Sequence, residues 1–488
     1  PARRLWMQSM TDEAILNAWH SMRSEADMQP LTNAAVCRSE SDWLIGLNST
    51  RALTILQSRG GFSVTPAGRV QTPTLAILTQ RELEIQAFEP EPYSEVWADF
   101  GVQSGVYSGR WIDRDWKKND NPHSRAERIW DSALATVIRD RCRGKSGTVT
   151  EEKKPVTTIA PLLYDLTSLQ REAANRYGFS AKRTLQLAQE CYEKHKVLTY
   201  PRTDSRYLPE DYLGKVYGIV GAVAEENAEF APFARDILDN KRVKPNRRVF
   251  DTKKVSDHFA IIPTGKIEKL SGDVQKLFEM VMARFLAVFF PPAVFEDTRR
   301  TTLIDHRDGV TDAFLTTGRV LVEPGWQAVY GRKAGSSSKE ELVSVQDGEQ
   351  AAVREIEIRN AMTKPPARYN EATLLAAMEG AGKLVHDMSE RGLGTPATRA
   401  SIIEGLISQE YIARDGRDLL ATRRGIELIA LLERIGLKTL TSPSLTGEWE
   451  YKLKQMEQAS LGRESFMDGI KKLTGEIVKR VHDFQEAQ

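Results

Sequence analysis

The 488-residue chain carries 68 Lys+Arg against 67 Asp+Glu, a formal net charge of +1. Bulk charge therefore excludes a generally basic nucleic-acid binder, and any basic surface must be local. The three cysteines, Cys37, Cys142 and Cys191, form no Cys-x-x-Cys pair, which excludes a zinc ribbon and disfavours a disulfide framework; no apolar run is long enough to span a bilayer.

At 41% hydrophobic and 28% charged the composition is ordinary for a globular protein, and the length suits about three domains. The chain begins Pro1-Ala2-Arg3-Arg4, without an initiator Met or a signal-like apolar stretch, as expected of a piece of a longer chain from a reducing compartment. In chain order, a helix is predicted over 11–22, capped by Thr11, with Asp12 and Glu13 at its positive end and Ile15, Trp19 and Met22 on one face. A second opens near Arg69, where Val70, Ile77, Leu78 and Ile85 form an apolar stripe, and ends before Pro90 and Pro92. Residues 94–100 alternate polar and apolar as a half-buried strand does. A polar loop follows at 113–127, carrying Lys117, Lys118, His123 and Arg125. Helices are predicted at 166–177 and 180–193, joined by Gly178 and with Ser180 as cap; Val197 to Tyr200 reads as a short strand. Helices and strand in this order are compatible with a helix-turn-helix or winged-helix unit. Residues 293–358 are strand-like apart from a Ser336-Ser337-Ser338 loop, and 371–488 are helical. Two strand-rich segments flanking a helical one imply that one domain is inserted into another.

Four stretches could carry chemistry. In Leu198-Thr199-Tyr200-Pro201-Arg202-Thr203-Asp204-Ser205, Pro201 ends the strand and holds Tyr200 at its tip. A phenol is a poor nucleophile near neutral pH unless cations help it. Arg202, two residues on, projects to the same side, and Asp204 could orient it. The bland alternative is a buried tyrosine beside a surface ion pair. Ser256-Asp257-His258-Phe259 offers a histidine, more often a core residue than a catalyst. It is preceded by Lys241, Arg242, Lys244, Arg247, Arg248, Lys253 and Lys254, a solvated loop or the lining of a phosphate path. In Gly392-Leu393-Gly394-Thr395-Pro396-Ala397-Thr398-Arg399, Thr395 caps a helix that Pro396 starts, and Ile402, Ile403, Leu406 and Ile407 give its buried face. Such a helix start can bind an anion, or be merely a well-made cap. Gly68-Arg69-Val70-Gln71-Thr72 opens a helix in the same way. No phosphate-binding G-x-x-x-x-G-K-[ST] loop occurs, because Gly382-Lys383 lacks its partners. No D-x-D-x-E cluster offers a Mg²⁺ cage.

Taken in chain order, these four stretches resemble the type IA DNA topoisomerases. The resemblance extends to Arg4–Ile15, to Arg38–Arg51, to Arg81–Ile85 with Phe88, to Tyr164–Gln170 and to Leu445–Glu450, and so runs over nearly the whole chain. It implies a multidomain α+β toroid: a mostly helical base (1–92 and 359–488), a strand-rich arch (93–158 and 265–358) and an inserted, winged-helix-like tyrosine domain (159–264). It implies that Tyr200 attacks a single-stranded phosphodiester to form a 5′-phosphotyrosyl bond, with Arg202 and His258 in support. Arg69, Gln71, Thr72, Thr203, Asp204, Thr395, Thr398 and Arg399 would then hold the strand. Resealing needs no ATP, and no zinc is implied. Mg²⁺ would be held by a TOPRIM domain expected ahead of Pro1 and absent from the sequence, so this chain alone is expected not to relax DNA. One departure is Pro66, where the family usually has serine. A single-stranded DNA substrate, a helicase or single-strand-binding protein as partner, no membrane, and a cytoplasmic, nucleoid- or plasmid-associated location complete the expectation. A non-catalytic single-strand-binding remnant is the alternative. A tyrosine recombinase would need its tyrosine near the C-terminus, and Tyr200 lies mid-chain.

Overall fold

Alternation along Pro92–Val102 puts Val96, Ala98 and Phe100 on one buried face, and that face lines a closed barrel. The computed structural model describes residues 2–7, 11–57, 64–335, 342–381 and 392–487. The predicted serine loop at 336–338, Gln8, Ser9 and Met10 of the first family segment, and Gly382-Lys383 lie outside them. The chain divides into two compact units, one of Ala87–Pro161 and Ala287–Pro366, the other of Pro1–Gln86, Leu162–Leu286 and Ala367–Gln488.

In the first unit six antiparallel strands close the barrel: Pro92–Val102, Gly105–Ile112, Ser146–Thr158, Ala293–Asp305, Thr311–Glu323 and Gln350–Met362, in the order first, second, fifth, fourth, third, sixth. Phe100 stacks on Tyr107 at 5.5 Å and meets Phe314 edge-on at 5.3 Å. The Ser132–Cys142 helix adds Ala135, Ile138 and Cys142 to the same core. A side chain at Gly147 would put its Cβ 2.8 Å from the Leu303 carbonyl oxygen, so strand approach there requires glycine. Arg300, 1% exposed, donates from Nε to Glu151 (2.8 Å) and lies over the Tyr107 ring. The loop predicted at 113–127 is stitched internally. Asp113 N–H donates to Ala126 O (2.8 Å), Trp116 Nε1 donates to Ser124 Oγ (2.9 Å), and His123 packs on Phe88. Lys117 and Lys118 stay exposed.

The second unit is mostly helical. Its backbone is the 33-residue helix Glu25–Gln57, which buries Ala34, Cys37, Ser41, Ile45, Ser49 and Leu53 at three- to four-residue spacing and packs on Pro443–Glu457 and Arg463–Glu486. The first helix runs Asp12–His20 and ends before Met22. It buries Ala18 and leaves Trp19 61% exposed, so the apolar face predicted from Ile15, Trp19 and Met22 is not the packed one. The strand predicted at 197–200 is a single bridge, Leu198 to Pro263, because Thr199 and Thr203 satisfy the backbone there with their side chains. The hairpin that a winged helix needs is accordingly not at 197–200. A helix followed by a hairpin occurs instead at Pro396–Ser408, Ile412–Asp415 and Asp418–Ala421, interrupting the run predicted as wholly helical from 371. The boundary expected at 265 falls at 287, since the Gly272–Ala287 helix buries Leu277, Phe278, Val281, Phe285 and Leu286 in the helical unit. Likewise 162–286 clusters with 1–86 and 367–488, in one unit rather than as a separate body.

Candidate active site

Local signals deliver the chain to Tyr200. Asp165 and Ser168 form a capping box on Leu166–Tyr177. Gly178 turns the chain at φ 70°, and Ser180 caps Ala181–Glu190. That helix runs into a π turn, Cys191–His195, ended by Lys196 at φ 61°. Beyond it Val197 and Leu198 are buried anchors.

The 197–204 segment is then strapped to 258–264. Thr199 N–H donates to Ile262 O (3.0 Å), Thr199 Oγ1 donates to Ala260 O (3.0 Å) and accepts from Ile262 N–H (2.9 Å). Thr203 Oγ1 donates to His258 O (2.7 Å) and accepts from Ser205 N–H. These straps set the exposed His258 imidazole against the half-buried Tyr200 ring, centroids 4.3 Å apart and tilted 45°. Tyr192 meets the Tyr200 ring edge-on at 5.4 Å. Arg202 is exposed, with no ion pair among the described residues. Asp204 does not orient it: its Oδ1 accepts from Ser256 Oγ at 2.6 Å. The site is thus a phenol with an imidazole on its face, beside an arginine whose charge is uncommitted within the described structure.

Apart from Asp204, the residues expected to grip a strand fall into two groups. Thr395 and Thr398 are exposed, and Thr395 N–H donates to Thr398 Oγ1 (2.9 Å) at the start of Pro396–Ser408. Gln71 is half-buried and bonds Gln409. Four others are committed inward. Arg69, 6% exposed, donates from Nε to Asp42 (2.7 Å) and from Nη1 to Glu450 (3.1 Å). Burial works against its charge, but Asp42 and Glu450 more than offset this and hold its pKa above the ordinary value. Thr72 is buried and accepts from Gly68 N–H (2.9 Å). Thr203 is buried in the strap. Arg399, 4% exposed, donates to Leu393 O (3.1 Å) and Thr167 Oγ1 (2.8 Å); burial lowers its pKa, partly opposed by Glu379, Asp165 and Asp204. All four side chains are thus engaged within the protein.

Arg206, outside the predicted set, links the helix cap Asp165 (2.7 Å) to Glu379 (3.2 Å). With the Arg399–Thr167 bond it ties the tyrosine-bearing segment to Glu379 and Arg399. Its partners are too distant in sequence for spacing to reveal. Tyr192 was also missed; its signal was an aromatic beside a helix end.

The grouping of metal-type donors among the described residues, Cys142, His306 and Asp312, lies in the barrel unit. It does not suit Mg²⁺, which takes oxygen ligands. Asp312 already accepts from Arg141 (2.6 Å) and Trp111 (2.8 Å), and burial, first, with Asp312 second, pushes the Cys142 thiol well above its ordinary range.

Against known proteins, the family model described as DNA topoisomerase matches residues 26–468. The chain belongs to the DNA topoisomerase family. Within it, the chain is type IA and topoisomerase III-like. It is 37% identical over 501 residues to DNA topoisomerase 3 of Bacillus subtilis (strain 168), covering 99% of this chain and 65% of the relative. It is 35% identical over 500 residues to that of Bacillus licheniformis, with the same coverages. The chain thus spans 65% of the length of these topoisomerase relatives. Full-length topoisomerase I from Thermotoga maritima superposes with a TM-score of 0.71 over 98% of this chain and 73% of that one, at 24% identity, and so shares its multidomain α+β fold.

Proposed function

We propose that the chain is the strand-cleaving and strand-passing core of a topoisomerase III-like enzyme acting on single-stranded DNA. The Tyr200 phenol gives up its proton to solvent as its oxygen attacks a phosphodiester phosphorus, the P–O3′ bond breaks, and the leaving 3′-oxygen takes a proton from solvent, so no net proton is gained or lost. The 5′-phosphate stays on Tyr200, and the reverse displacement reseals the strand after passage, so no ATP is consumed. The observation that carries this reading is the tyrosine held against His258 beside the uncommitted Arg202. Arg202 neutralises charge developing on the phosphate, and His258 hydrogen-bonds at the scissile position. Thr395, Thr398 and Gln71 contact the strand, while Arg69, Thr72, Thr203 and Arg399 hold the surfaces that present it. The helical unit carries the tyrosine segment and the barrel unit corresponds to the strand-rich arch expected of the family, and the reaction serves relaxation or decatenation. The Mg²⁺ expected of this class would be held by acidic residues of a TOPRIM domain and not by residues of this chain. A helicase or single-strand-binding protein is the partner expected at a nucleoid or plasmid. No helix among the described residues is long and apolar enough to cross a membrane.

Two tests discriminate. In the full-length protein that carries this chain, Arg202→Ala should slow single-strand cleavage by about 10²–10³-fold, the scale of losing one oxyanion-stabilising donor, and His258→Ala by less. Wild-type cleavage rates in both variants would remove them from the chemistry. The chain itself should bind single-stranded over double-stranded DNA, with an affinity that falls as salt rises. A binding isotherm independent of salt, or a preference for duplex, would count against a strand-binding surface. The alternative, a binder without catalysis, predicts the same isotherm and no covalent adduct under any condition.

A further inference from the structure

We propose that Tyr192 is a positioning residue for the cleavage step, and that the π turn Cys191–His195 exists to place it. The inference rests on the reading of Tyr200 as nucleophile.

A tyrosine side chain at a loop position samples several staggered rotamers, whereas attack requires its oxygen in line with the scissile bond, and small misplacements are costly. Two rings restrict it: His258 at 4.3 Å and, edge-on at 78°, Tyr192 at 5.4 Å. The edge-to-face geometry is one that aromatic pairs favour, and it orients as well as buries. π turns are rare and concentrate at functional sites. Here the turn falls at the end of the Ala181–Glu190 helix, whose buried face continues into Cys191, and the next residue, Tyr192, is the one that meets Tyr200.

The turn is held from outside. His195 Nδ1 lies 2.9 Å from Glu268 Oε1, and Lys266 Nζ donates to His195 O (2.8 Å) and to Glu268 Oε2 (2.9 Å). Thr264 Oγ1 donates to Lys196 O (2.8 Å), and Thr264 N–H donates to Val197 O (3.0 Å). The 264–268 segment that clamps the π turn directly continues the 258–262 segment that presents His258. One strap therefore sets both rings that bracket Tyr200. Tyr192 acts through Tyr200 rather than on the phosphate.

The test is single-turnover cleavage of a labelled single-stranded oligonucleotide by the full-length protein carrying Tyr192→Ala, Tyr192→Leu, Tyr192→Phe or Tyr200→Phe. Tyr192→Ala and Tyr192→Leu should each cleave about tenfold more slowly, the scale of one lost aromatic pair, with oligonucleotide affinity unchanged. Tyr192→Phe keeps the ring edge and should recover most of the rate. Wild-type rates in the Ala and Leu variants would overturn the proposal. So would a Phe variant as slow as Ala, or a loss of affinity in parallel with rate. Should Tyr192→Ala lower the melting temperature, the Leu and Phe pair still decides, because both fill the site and only one supplies a ring. Adduct formation by Tyr200→Phe would instead overturn the assignment of the nucleophile, whatever the Tyr192 variants do.

Discussion

Tyr200→Phe in the full-length protein should abolish the covalent DNA adduct and leave single-strand binding unchanged. The substitution removes one oxygen and keeps the ring, so the contacts with His258 at 4.3 Å and Tyr192 at 5.4 Å persist. The straps around the site use Thr199 and Thr203 and their backbone partners, not the phenol. The loss should be complete, because without the oxygen no phosphotyrosyl bond can form. A denaturing gel with labelled oligonucleotide reads the adduct, and an equilibrium titration reads the binding. A Phe variant that loses adduct and affinity together would mean that the hydroxyl holds the strand rather than attacks it.

The second large effect is on stability. Glu450, 8% exposed, receives both Nη atoms of Arg38 (2.6 and 2.7 Å) and Nη1 of Arg69 (3.1 Å). Arg69 lies over the Trp449 ring, and its carbonyl accepts from Thr446 Oγ1. Glu450→Ala would strand the buried Arg69 guanidinium with Asp42 alone, and removing one partner of a buried pair costs about 3–5 kcal/mol. Denaturant unfolding should show that loss as a lower midpoint. Unchanged stability would return Arg69 to the role of a free strand-binding cation. The pH dependence follows from the carboxyl's titration. Burial pushes the Glu450 pKa up, but Arg38 and Arg69 outweigh it and hold it below the ordinary value. The stabilisation is therefore full above the ordinary carboxylate value of about 4.3 and is lost as pH falls through the depressed native value. The gap between wild type and Glu450→Ala should accordingly narrow in acid.

Caps and alternation were readable in the sequence because their physics is local. Ser180 and the Thr395-Pro396 start stand where the helices begin, and 94–100 forms part of a barrel strand. The Glu25–Gln57 helix was hidden because its buried face includes Ser41 and Ser49, small polar residues that interrupt an apolar count while permitting close helix packing. The 412–421 hairpin has strands of four residues each, too short to show a period. The strand-contact roles of Arg69 and Arg399 rest on the resemblance, and their internal partners are invisible to spacing because they are remote: Asp42, Glu450 and Thr167 lie 27, 381 and 232 residues away. A charge at a helix start looks the same whether its partner is a phosphate or a buried carboxylate. The meeting of Tyr200 with His258 came from family resemblance, since no spacing rule joins residues separated by a folded insertion.

The central claim is that Tyr200 carries the severed strand, and the most direct measurement is to map the adduct. The full-length protein would be trapped on an end-labelled single-stranded oligonucleotide and digested, and the nucleotide-bearing peptide sequenced by mass spectrometry. The account predicts a 5′-phosphate on the Tyr200 side chain, within the peptide that includes Thr199 and Pro201. A nucleotide on any other residue, or a linkage through a 3′-phosphate, would contradict it.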